Sequence, residues 1–114
     1  MAEITSQAYQ DLRQYIQSNW QYIELQDESS TPIIRLSPSD SRVTTTIEGN
    51  NVKITVVLNG TDPTVINKTF AKSAIFKVGT GGQSFSLETF TPFTIESEQD
   101  ELTVIHNIQV PQVI

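Results

Sequence analysis

Residues 43–58, Val43-Thr44-Thr45-Thr46-Ile47-Glu48-Gly49-Asn50-Asn51-Val52-Lys53-Ile54-Thr55-Val56-Val57-Leu58, decide the fold. Val43, Thr45 and Ile47 alternate with Thr44, Thr46 and Glu48, and Val52, Ile54, Val56 and Leu58 resume the rhythm after Gly49-Asn50-Asn51. Alternation of this kind puts the apolar side chains on one face of a strand. Glycine and asparagine tolerate the positive φ of a tight turn. The stretch predicts a β-hairpin with one buried face.

The pattern extends in both directions. Upstream, Ile23 and Leu25 alternate with Tyr22, Glu24 and Gln26, Asp27–Thr31 is a polar turn, and Ile33–Leu36 after Pro32 is a second short strand. Downstream of the turn Asn59–Pro63, Val65–Phe70 and Ala74–Val78 read as two strands, followed by the loop Gly79-Thr80-Gly81-Gly82. Phe85, Leu87 and Thr89 alternate with Ser86 and Glu88, and Phe90–Ile95 follows. After the acidic turn Glu96–Glu101, Leu102, Val104, His106, Ile108 and Val110 share one face of a last strand that Pro111 ends. Short strands parted by turns, with no crossover helices between them, predict an antiparallel β-sandwich, jelly-roll-like or Greek-key.

One helix precedes this body. Over residues 6–20, Ala8, Leu12, Tyr15, Ile16 and Trp20 recur at three- and four-residue spacing, with Gln7, Asp11, Gln14 and Gln17 opposite. Thr5 or Ser6 can cap its start, and Asn19 is the expected terminator. So short a helix needs a surface to dock on. The 114 residues then form one domain, the helix at about 6–20 and the β body at about 22–110.

Composition narrows the function. Hydrophobic residues make up 37% and charged residues 18%, which is not the signature of disorder. The apolar runs are short, so no membrane span is expected, and Met1–Thr5 lacks a secretory pattern. Cysteine is absent, which suits folding in a reducing compartment. Without a secretory signal, Asn59-Gly60-Thr61 and Asn67-Lys68-Thr69 are chance matches to the glycosylation pattern. A net charge of −6 with seven scattered basic residues argues against nucleic acid as a partner.

Candidate chemistry is sparse. Acid–base or nucleophilic catalysis needs a base beside a nucleophile. The chain has one histidine and no cysteine, and no Gly-x-Ser-x-Gly elbow. His106 lies in register with an apolar face and is expected as a hydrogen-bonded core or interface histidine. The Gly79–Ser84 loop has no lysine placed for a phosphate and no helix after it, so it reads as a flexible hairpin connection. Glu96, Glu98 and Asp100 are weak calcium candidates, because hard cations take several oxygen ligands; a solvated turn that discourages strand pairing fits them better. Tyr9, Tyr15, Trp20 and Tyr22 cluster near the helix, with Tyr9 or Trp20 the first choice for an exposed aromatic. The interface candidates are Tyr9, Leu12, Ile16, Trp20 and His106. No catalytic residue, cofactor or firm metal site emerges, and the chain reads as not an enzyme.

Ala74-Ile75-Phe76-Lys77-Val78-Gly79-Thr80-Gly81-Gly82, then Glu88-Thr89-Phe90-Thr91-Pro92-Phe93, the turn Glu98–Glu101 and the strand Leu102–Val110 resemble small tailed-bacteriophage virion proteins of the tail-fibre and baseplate region. The likeness covers residues 74–110. It departs at Lys72-Ser73-Ala74, where a glutamate and a glycine are usual before the aliphatic-Phe pair, and at Asp27–Thr31, where a Gly-Thr-Gly element is usual. The resemblance implies a virion structural protein, folded in the host cytoplasm, that forms a trimer or hexamer and docks onto other virion proteins. Capsid decoration and a β-sandwich carbohydrate- or ligand-binding module are the alternatives.

Overall fold

The computed structural model describes residues 2–110. The element order is α1 (Ser6–Asn19), β1 (Tyr22–Gln26), β2 (Pro32–Leu36), β3 (Val43–Glu48), β4 (Asn51–Asn59), β5 (Thr69–Phe76), β6 (Ser86–Thr94) and β7 (Glu101–Gln109). Two antiparallel sheets, β2-β1-β5-β6 and β3-β4-β7, face one another. This is the expected sandwich, with seven strands against the eight of a full jelly roll. Its core runs from Ile16 and Ile23 through Ile54, Val56 and Ile75 to Leu58, Val65, Phe70 and Ile95.

The hairpin that opened the argument forms with Val43 opposite Val56 and Ile47 opposite Val52, and Gly49 takes φ +59° at its tip. β4 pairs on its other side with all of β7, bringing Ile54 opposite His106. Pro111, expected to end that strand, lies outside the described residues.

Three expectations need correction. The stretch read as strands Val65–Phe70 and Ala74–Val78 holds a single strand, β5, preceded by a turn and broken only by an irregularity between Phe70 and Lys72. Asp62 organises the turn. It accepts from the Thr64 amide and hydroxyl at 2.9 and 2.7 Å, and its backbone carbonyl receives the amides of Val65 and Ile66. Those Thr64 bonds hold its carboxyl below the usual range. Val65 is apolar because it plugs the core from a turn, not because it extends a strand.

The second correction concerns the helix. Thr5 caps it, its hydroxyl accepting from the Ala8 amide, and the Asn19 side chain donates to the Tyr15 carbonyl near the end. Its inner stripe is Tyr9, Arg13, Ile16 and Trp20, with Ile16 alone fully buried. Leu12 and Tyr15, placed inward by spacing, are 43% and 47% exposed. Arg13 explains the rotation: its guanidinium reaches the Val110 carbonyl at 2.8 Å, tying α1 to the chain just after β7.

The third correction is the face of β6. Opposite residues of an antiparallel pair share a face, and β5 sets Ile75 against Ser86, Ala74 against Leu87 and Ser73 against Glu88. Ser86 therefore turns toward the interior while Leu87, 58% exposed, points out. Pro92 is tolerated because β6 is an edge strand.

Candidate functional site

His106 is 1% exposed and spans the sandwich. Its Nδ1 lies 2.7 Å from Ser73 Oγ on β5 and its Nε2 lies 2.7 Å from Ser86 Oγ on β6. The opposite sheet thus supplies both partners, as the buried, hydrogen-bonded reading of this residue expected. Burial pushes the imidazole below the ordinary histidine range, with the Glu88 carboxylate 4.0 Å away pulling the other way. Glu88 also accepts from the edge amide of Asn107. A Ser–His contact can activate a nucleophile when a third group orients the base. Here Nδ1 faces a hydroxyl and the ring is shut from solvent, so the geometry ties the two sheets together.

The second feature is the outer face of the β1–β5 pair. Arg35, on the neighbouring edge strand β2 opposite Glu24, reaches over it. Its guanidinium binds the Glu24 carboxylate at 2.8 and 2.9 Å and lies 3.6 Å from the centroid of Phe76. It also donates to the carbonyls of Val78 and Gly81 at 3.1 and 2.8 Å. Glu24 is only 5% exposed and takes a third bond from Gln26. The glycine-rich connection, expected to be flexible, is thereby drawn down onto the sheet. Gly81 and Gly82 adopt φ +66° and +76°, which side chains disfavour.

Folding this loop back creates the third feature, an apolar surface around the C-terminal half of α1. The Trp20 and Phe85 rings meet at 5.3 Å between centroids. Lys77 Nζ lies between Tyr15 and Phe85, 5.5 and 5.4 Å from their centroids, and donates to the Tyr15 hydroxyl at 3.1 Å. Tyr15, Val78, Phe85 and Leu87 are each about half exposed, and Leu12 lies one turn before Tyr15. Among the interface candidates, Leu12 falls on this surface and Trp20 at its margin. Tyr9 is half-buried, while Ile16 and His106 are buried in the core. The exposed helix aromatic is Tyr15, not Tyr9 or Trp20.

Lys77, Val78, Phe85 and Leu87 were missed as surface residues. Alternation at Phe85, Ser86 and Leu87 marks two faces, and only the β5 register and the Ser86–His106 bond choose which is inside.

The calcium candidates do not assemble. Asp100 Oδ2 accepts from the amides of Glu96 and Ser97 at 2.8 and 3.1 Å, so that carboxylate holds the turn. Among the described residues no group of three or more metal-ligating side chains converges. A cleft of about 390 Å³ between the β1–β2 turn and the start of β5 is lined by Asp27, Thr31, Pro32, Ile33, Asn67, Lys68 and Thr69. It contains no aromatic platform of the kind a sugar would stack on. No helix among the described residues is long and apolar enough to cross a membrane.

Comparison with known proteins finds no matching family model, no matching curated protein and no matching solved structure.

Proposed function

We propose that this chain is a structural subunit that works by packing against copies of itself and against other proteins of a larger particle. The setting is the tail region of a bacteriophage virion that residues 74–110 resemble. The supporting observation is the reversed face of β6. Phe85 and Leu87 stand in solvent, Phe85 against Trp20 and sharing Lys77 with the half-exposed Tyr15, while the serine between them is spent inside on His106. A contiguous exposed apolar surface on a small domain marks an interaction site, and covering it gains roughly 25 cal/mol per Å².

Light scattering across a micromolar concentration series tests the proposal. The wild-type mass is expected to rise above 12.7 kDa with concentration. Phe85→Ser with Leu87→Ser should hold the chain at monomer mass while lowering the melting temperature slightly through the lost Trp20 contact, and Leu87→Ser alone should weaken association with the melting curve unchanged. A wild-type chain that stays monomeric throughout overturns the self-association.

A further inference from the structure

The two ends of the molecule differ in chemistry. α1, the β5–β6 loop and the chain after β7 meet at one end, joined by the Arg13–Val110, Lys77–Tyr15 and Trp20–Phe85 contacts. β6 and β7 run from there to the opposite end. At that end the turn 95–100 is bonded to Gly60 and to the 67–68 segment: Gly60 donates to the Asp100 carbonyl, Asn67 to that of Ile95, and Ile95 to that of Lys68. The longest dimension of the molecule is 55 Å and the other two are 26 Å each.

At the helix end Lys77 stands among apolar side chains, while the nearby cations of Arg13 and Lys53 are engaged with the Val110 carbonyl and with Glu48. Lys77 forms no ion pair among the described residues, and it is flanked by two half-exposed rings. Lys77 is exposed, so a carboxylate can reach the ammonium along its open side and add a charge-assisted hydrogen bond to the ring contacts. The opposite end offers four carboxylates within Glu96–Glu101 against one exposed base, Lys68, in the segment bonded to that turn. Glu96, Glu98 and Glu101 are exposed, and Asp100 pre-shapes the turn through its two amide bonds. A turn already held in shape loses little freedom on docking.

We propose that the apolar end around Lys77 receives the Glu96–Glu101 turn of a second copy, so that subunits join head to tail. This rests on the self-association proposed above and names its contact. Two acidic ends would repel, and two helix ends would oppose their ammonium groups, whereas the unlike ends are complementary in charge. A contact between different patches closes into a ring or runs on as a line. The 26 Å cross-section confines the contact to several hundred Å² per partner, at the small end of specific interfaces. The association is therefore weak and salt-sensitive.

The experiment measures sedimentation of the full chain in low and high salt, for wild type, Lys77→Glu, Glu98→Lys and an equal mixture of the two variants. Both positions are on the surface, and melting curves confirm that each variant folds. Wild type should assemble in low salt and dissociate in high salt. Each variant alone should associate at least about tenfold more weakly, as expected for opposing like charges at a contact. The mixture should regain wild-type mass, because each variant's altered end then meets a complementary one. If wild type assembles but either variant matches it, or the mixture fails to recover, the head-to-tail contact is wrong while self-association stands. Two helix ends packed face to face would be broken by Phe85→Ser and untouched by Glu98→Lys, which also overturns it. A wild-type monomer under every condition removes both proposals.

Discussion

The two sheets obey different rules. In the β3-β4-β7 sheet burial alternates residue by residue, so that Val52, Ile54, Val56 and Leu58 are buried while Val57, Thr103 and Ile105 face solvent. In the other sheet the central strands β1 and β5 are buried on both faces over most of their length. One sheet has water on its back; the other has a folded loop held by Arg35. The difference is that a wetted face can be built from any polar residue. A covered face must satisfy every charge it encloses, and Glu24 is enclosed only because Arg35 and Gln26 answer it.

Arg35→Ala tests that difference hardest. It strands a buried carboxylate, releases two loop carbonyls and uncovers Phe76, and is expected to lower stability by about 3–5 kcal/mol. Urea denaturation measures it. Arg35→Met combined with Glu24→Leu should recover most of the loss, since replacing both charges removes the unpaired one. If the single change is harmless, the loop does not cover this sheet as described.

The link between the sheets comes next. His106→Ala should lose about 2–4 kcal/mol, from the cavity and from two interior hydroxyls left without a partner. Acid should act at the same place. Because burial depresses the folded-state pKa of His106, the neutral ring contributes fully above the ordinary value of about 6.5. That contribution is lost as pH falls below it and through the lower folded value. Melting temperature against pH should show this fall in wild type and a shallower one in His106→Gln. Identical profiles would deny the imidazole its role.

The smallest effect is expected on the wetted sheet. Val57→Thr, on the outer face of β4, should change stability by no more than about 0.5 kcal/mol. A larger loss would mean that this face is covered as well.

Legibility in the sequence followed the same division. The β3–β4 hairpin, β1, β2 and β7 could be read because local alternation and turn residues determine them. The outward turn of Phe85 and Leu87 could not: alternation defines two faces of a strand but not which one is inside. That choice belongs to the β5 register and to His106, twenty residues further along. Nothing in the sequence singles out Arg35, since only its pairing opposite Glu24 reveals its task. Leu12 and Tyr15 fitted a helical stripe, yet the Arg13 bond to a distant carbonyl turned the helix. Local patterns revealed the strands; long-range partners chose their faces.

The serine–histidine–serine bridge has one more consequence. Either hydroxyl can donate or accept, so the single proton of the neutral ring can sit on either nitrogen with no loss of hydrogen bonds, provided both hydroxyls turn together. The interior therefore admits either tautomer, and interchange requires the ring proton to leave one nitrogen and another proton to reach the other, because the two hydroxyls face opposite nitrogens and do not pass a proton between them. Replacing one serine with a residue that can only accept would fix the proton on the nitrogen that faces it.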